Sequence, residues 1–111
     1  MTQLAIIDLT TEQATFREIP EKVQRMYLGG EGLNAYLLYN YLPPGINPLS
    51  PENVLIFGAG LVSGYDVSSS RFEVTAKSVE GEGGFGTSNS GGFWSAELKY
   101  AGFQHLIIKG R

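Results

Sequence analysis

The sequence predicts an α+β domain, a β-rich mixed sheet carrying two to three short helices. Three observations lead there. Apolar residues recur in short alternating or continuous runs bounded by turn residues, as strands require. One stretch instead repeats them at helical spacing, Leu33, Leu37, Leu38 and Tyr41. The chain of 111 residues, 42% of them hydrophobic, is the size of one domain with a core of its own.

Taken in order, residues 4–9 form an aliphatic run, residues 10–13 a polar turn, and residues 14–19 a resumed alternation that Pro20 ends, together a β-hairpin. Residues 21–28 fit a short helix through Val23, Met26 and Tyr27, closed by Gly29 and Gly30. The second helix follows Gly32 and stops at Pro43 and Pro44, because proline cannot continue the helical hydrogen bonding. Residues 43–52 hold four of the five prolines and read as an extended connector within one domain. Residues 54–57 form a buried strand. After the serines 68–70, Phe72, Val74 and Ala76 alternate with Arg71, Glu73, Thr75 and Lys77 in a half-buried strand. Residues 80–87 read as a glycine loop. Ser90, Gly91 and Gly92 read as the opening of a helix whose apolar surface comes from Phe93, Trp94, Ala96, Leu98 and Ala101, with Gly102 as its stop. Trp94, Tyr100 and Phe103 are read as core, and Glu97 and Lys99 as its solvated face. Residues 105–109 close the order with an aliphatic strand.

Composition removes several classes of function. Eight basic residues against eleven acidic ones give a net charge of −3, and the basic residues are scattered singly, so no electrostatic footprint for nucleic acid exists. The chain has no cysteine, which excludes disulfides, thiolate catalysis and cluster ligation by its own residues. His105 is its one histidine, and on an aliphatic strand it reads as a core or edge residue rather than a metal ligand. No segment has the length of a membrane span, and the first residues carry no basic leader, so cytoplasmic residence is expected. Fifteen glycines and a charged fraction of 17% point to close backbone approach by a ligand or by further protein.

Two glycine clusters need separate treatment. Residues 81–86 spell G-x-G-x-x-G, but Glu80 and Glu82 make the surroundings negative, and three residues intervene before any helix, so the dinucleotide reading fails. Asn89, Ser90, Gly91 and Gly92 at a helix start are better motivated, since bared amides and the helix dipole favour an anion that glycines let approach. A plain serine cap is the other reading of the same residues. Arg71 supplies the one nearby guanidinium, either for a bidentate phosphate contact or as a solvated strand end.

The succession Tyr27-Leu28-Gly29-Gly30 with Gly32-Leu33, Pro48-Leu49-Ser50-Pro51-Glu52-Asn53, Gly60, Arg71, Asn89-Ser90-Gly91-Gly92 and Ala96-Glu97-Leu98-Lys99-Tyr100-Ala101-Gly102-Phe103 resembles the N-terminal domain of tungsten-containing aldehyde ferredoxin oxidoreductases. The resemblance runs over nearly the whole chain. It implies that residues 1–111 are the N-terminal portion of a cofactor-binding domain, part of a β-rich saddle for a bis-molybdopterin tungsten, or molybdenum, cofactor. It further implies that Arg71 lies at the pterin, that the Asn89 main-chain carbonyl binds a Mg²⁺ bridging the pterin phosphates, and that Ser90, Gly91 and Gly92 border the phosphate. The implied reaction is oxidation of an aldehyde to a carboxylic acid, with electrons leaving through a [4Fe–4S] cluster to ferredoxin. The cluster cysteines belong to the remainder of the enzyme, so the expected partner is the rest of the catalytic chain or a separately encoded subunit, and this segment alone is not competent. A related branch reduces activated aromatic acids. The contrasting expectation is a non-enzymatic binding or assembly module that docks its charge-poor face on a partner protein.

Overall fold

The computed structural model describes residues 3–66 and 71–111, so the serine loop at 68–70 lies outside the described residues. Its first unit is the expected hairpin, β1 (Gln3–Asp8) with β2 (Gln13–Glu18), in register from Gln3 opposite Glu18 to Asp8 opposite Gln13. Asp8 Oδ1 makes the turn by accepting the amides of Thr10 at 3.0 Å and Thr11 at 3.4 Å, and Glu12 takes the positive φ of 56° that the reversal needs. The helices α1 (Glu21–Tyr27) and α2 (Gly30–Tyr41) follow. The strands β3 (Val54–Ala59) and β4 (Phe72–Lys77) match the sequence reading, as does the last strand, β6 (His105–Lys109), while the third helix, α3 (Trp94–Tyr100), is present but starts later than the sequence suggests.

One element differs. Residues 80–90 are not simply a glycine loop: after a 3-10 turn at Gly81–Gly83, residues Phe85–Ser90 form β5, antiparallel to β4, from Lys77 opposite Phe85 to Phe72 opposite Ser90. Asn89 and Ser90 therefore end a strand rather than open a helix. The helix begins only at Trp94, after Phe93, which gives no side-chain cap.

The six strands form one sheet in the order β2-β1-β6-β3-β4-β5. β1 and β6 are parallel and all other neighbours antiparallel, which makes the sheet mixed. Leu33, Leu37 and Leu38 of α2 pack on Leu4, Ile6, Val54, Ile56 and Ile107, all buried. That is the stripe read from the sequence, and burying each such side chain contributes about 1.5–3 kcal/mol.

The opposite face is unlike the solvated side of an ordinary two-layer domain. Residues directly opposite in a ladder share a face, so one row across it reads Phe16–Ala5–Leu106–Phe57–Val74–Ser88, and the next reads Ala14–Ile7–Ile108–Leu55. Neither row holds a charge. Asp8, Arg17, Glu73, Lys77 and Lys109 all alternate onto the helix side, and Glu18, at the end of the edge strand β2, is the one strand charge on the opposite face among the described residues. α3 covers one corner of this apolar face, where Trp94 meets Phe57 and Phe72 at centroid distances of 5.3 and 4.6 Å. Phe103 stacks on Phe16 at 5.3 Å. Of the aromatics read as core, Trp94 is thus half-covered and Tyr100 is 67% exposed, because α3 lies over the sheet corner with little beyond it. Among the described residues, no helix is long and apolar enough to cross a membrane.

Candidate functional site

The β4–β5 pairing brings together the two residues singled out in the sequence. Arg71 precedes β4 and Asn89 lies near the end of β5, one on each arm of the hairpin. Arg71 Nε donates to Asn89 Oδ1 at 3.1 Å and Nη2 donates to the same oxygen. One amide oxygen thus holds the guanidinium, and no carboxylate among the described residues lies within ion-pair distance of it. Arg71 is exposed, and so are Ser90, Gly91 and Gly92 beside it. Ser90 Oγ donates to the Gly91 carbonyl at 3.2 Å, and Gly92 has a φ of 106°, which a side chain rarely adopts.

The main chain at Arg71 is fixed from below. Its carbonyl accepts the Gly60 amide at 3.2 Å and the Ser63 hydroxyl at 3.3 Å. The turn that makes these contacts is tied to α3, since Lys99 Nζ donates to Leu61 O at 2.6 Å and Tyr100 Oη to Gly64 O at 3.1 Å. Lys99 also lies over the Tyr65 ring at 4.9 Å, and burial lowers its pKa from the ordinary lysine value. The sequence reading of Lys99 as a solvated charge is therefore corrected. A helix of seven residues starting at Trp94 does not provide the expected anion seat, and α3 instead braces the turn under Arg71.

A buried polar chain runs behind the pair. Asn34, in the middle of α2, donates through Nδ2 to Ile56 O at 3.3 Å, Glu73 O at 3.1 Å and Thr75 Oγ1 at 3.2 Å. Since its amide nitrogen is the donor, Asn34 Oδ1 accepts, and the His105 Nδ1 found 2.8 Å away carries the proton. Thr75 Oγ1 reaches Thr87 Oγ1 at 3.4 Å, and Thr87 donates to Glu73 Oε2 at 2.9 Å. Glu73 faces Asn89 across the ladder, so the chain ends beside the Arg71 pair. Gly58 makes room for it: a Cβ there would stand 2.3 Å from Asn34 Oδ1 and 2.6 Å from His105 Cε1.

The sequence reading placed His105 in the core but passed over Asn34, Gly58, Thr75 and Thr87. A signal for Asn34 was present, since it lies between Leu33 and Leu37 on the apolar stripe of α2. A concavity of about 590 Å³ lies elsewhere, between the end of α2, Pro43–Pro44–Gly45 and residues 83–85. It is lined mainly by apolar side chains, and Lys77 on its wall donates to Ile46 O at 2.7 Å. The Arg71 edge, with an unneutralised guanidinium beside residues too small to obstruct, fits a phosphorylated group.

Comparison with known proteins adds the family. A family model described as aldehyde ferredoxin oxidoreductase, N-terminal domain, matches residues 4–111. The tungsten-containing aldehyde ferredoxin oxidoreductase of Pyrococcus furiosus is 37% identical over 106 residues, 95% of this chain and 17% of the relative. A protein of the same organism named as the WOR-like subunit of an aliphatic sulfonate oxidoreductase is 33% identical over 98% of this chain. Among solved structures, the active-site complex of benzoyl-coenzyme A reductase with 1,5-dienoyl-CoA superposes with a TM-score of 0.91 at 37% identity, covering 98% of this chain and 17% of that one. The chain spans about a sixth of the length of these relatives.

Proposed function

The chain belongs to the aldehyde ferredoxin oxidoreductase family as its N-terminal domain, and from that premise we propose that it forms the first part of the cofactor-binding domain of a cytoplasmic tungsten or molybdenum oxidoreductase. One observation carries the reading: the hydrogen bonds from Arg71 to Asn89 hold a guanidinium, unpaired with any described carboxylate, beside the serine and glycines that end β5. When bound, a bis-molybdopterin cofactor supplies two-electron oxidation of an aldehyde to an acid, its electrons leaving through a [4Fe–4S] cluster in the remainder of the enzyme to ferredoxin.

The chain's own residues bind and orient. Arg71 binds the anionic edge of the pterin, and Asn89 fixes the direction of the guanidinium, so less side-chain freedom is lost when the anion arrives. Ser90, Gly91 and Gly92 border the phosphates without side chains that would hold them off, and the Asn89 main-chain carbonyl serves the accompanying Mg²⁺. The polar chain Asn34–Thr75–Thr87–Glu73, buried at Asn34 and Thr75 and reaching the surface at Thr87, keeps the β4–β5 end in place.

The named relatives act on an aldehyde, a sulfonate and an aromatic thioester while resembling this domain about equally, at 33 to 37% identity. Substrate choice then belongs to other parts of the enzyme, and holding the cofactor belongs to this one. A reductive activity on a coenzyme A thioester is the second reading, favoured by the benzoyl-coenzyme A reductase likeness. The complete enzyme, purified anaerobically, is expected to contain tungsten or molybdenum with pterin and to reduce viologen dyes with aldehydes. Thioester-dependent oxidation of reduced viologen without aldehyde activity selects the second reading. Repeated isolation without metal or pterin selects the assembly module.

A further inference from the structure

We infer that the apolar face of the sheet opposite α2 is an internal docking surface, covered in the assembled enzyme by an apolar surface of the polypeptide beyond this domain. The inference rests on the reading that the domain works within a larger enzyme.

In a sheet with one face on helices and the other in water, strands alternate apolar inward and polar outward. Here the central outward positions are apolar as well as the inward ones. The row Phe16–Ala5–Leu106–Phe57–Val74–Ser88 crosses the whole sheet without a charge, and the charged strand residues turn toward the helices except Glu18, which ends the edge strand β2. Such strands are built for burial on both faces. α3 and Phe103 cover only the corner near Trp94 and Phe16, leaving Leu55 39% and Phe16 61% exposed. A contiguous exposed apolar patch marks an interaction site. The occupant follows from proportion: the same fold, at a TM-score of 0.91, occurs as 17% of a solved chain, so most of the polypeptide of such an enzyme stands outside it. A face whose central rows hold no charge selects an apolar partner surface rather than a nucleic acid or an acidic peptide.

The domain has no cysteine, so one introduced there is a clean probe. Leu55→Cys and Phe16→Cys are made separately in the full-length enzyme, with Tyr39→Cys, 88% exposed on α2, for comparison. Maleimide labelling is read on the peptides spanning these positions, in native and in urea-unfolded protein. Labelling of Leu55→Cys and Phe16→Cys at least about tenfold slower in the native enzyme than after unfolding is the expected result. Native labelling close to the unfolded rate overturns the inference. Protection that vanishes when an oligomer is diluted to single enzyme molecules also overturns it, since a second copy would then be the cover. Metal and pterin content of the same preparations reports on the function reading separately, so a loaded enzyme with a freely labelled Leu55→Cys sinks only the docking surface.

Discussion

Two buried side chains, Asn34 and His105, give the molecule its sharpest residue-scale constraints. Both are fully buried, and the imidazole keeps its proton on Nδ1 toward Asn34 Oδ1 while Nε2 has no partner among the described residues. Burial lowers the His105 pKa from 6.5 to about 3, because a charged imidazolium would be stripped of water. The folded state therefore disfavours the proton that the unfolded chain takes up. The stabilising effect is complete above pH 6.5 and is lost as pH falls toward 3. Urea unfolding of the enzyme between pH 7 and pH 4 is expected to show stability declining by up to about 1.4 kcal/mol per pH unit from this group. His105→Gln removes that increment of slope, and an unchanged slope contradicts a neutral buried imidazole. Gly58→Ala drives a Cβ into both side chains and is expected to cost about 2–4 kcal/mol in the same measurement.

At the scale of elements, β1, α2, β3, β4 and β6 were legible because each buries or half-buries part of its apolar run, whereas β2 and α1, which hold no buried residue, were legible from the turn residues 10–13, Pro20 and the glycines 29 and 30 that bound them. Leu33 is the tightest point of α2, with no exposed surface, whereas Tyr39 on the same helix is 88% exposed. Leu33→Ala should cost about 3 kcal/mol and Tyr39→Ala less than about 0.5, by urea midpoint. β5 was not legible. Its residues, FGTSNS, have no apolar alternation and a single β-branched member, Thr87, every one of them is exposed, and only the ladder to β4 makes them a strand. The same misreading moved the helix start from Trp94 to Ser90 and attributed the anion seat to a helix dipole. The hydrogen bonds from Arg71 to Asn89 nevertheless make these two residues neighbours, as the reading of Arg71 as the one guanidinium near the Asn89 turn expects. The polar chain from His105 to Glu73 needed tertiary pairing, which local spacing does not contain.

At the scale of the whole molecule, the sheet divides its labour between faces. The helix face carries the core and the strand charges, the opposite face is apolar throughout its central rows, and the candidate cofactor edge lies at the end of the β4–β5 hairpin. The central claim is that this edge holds the anionic part of the cofactor. Metal and pterin content of the anaerobically purified full-length enzyme tests it most directly, with Arg71→Ala set beside Arg25→Ala, which forms an exposed ion pair to Glu21 within α1. The account predicts roughly tenfold or greater loss of tungsten or molybdenum and pterin in Arg71→Ala, as expected for losing a charge-assisted phosphate contact, and full content in Arg25→Ala. Undiminished metal and pterin in a folded Arg71→Ala enzyme would contradict it.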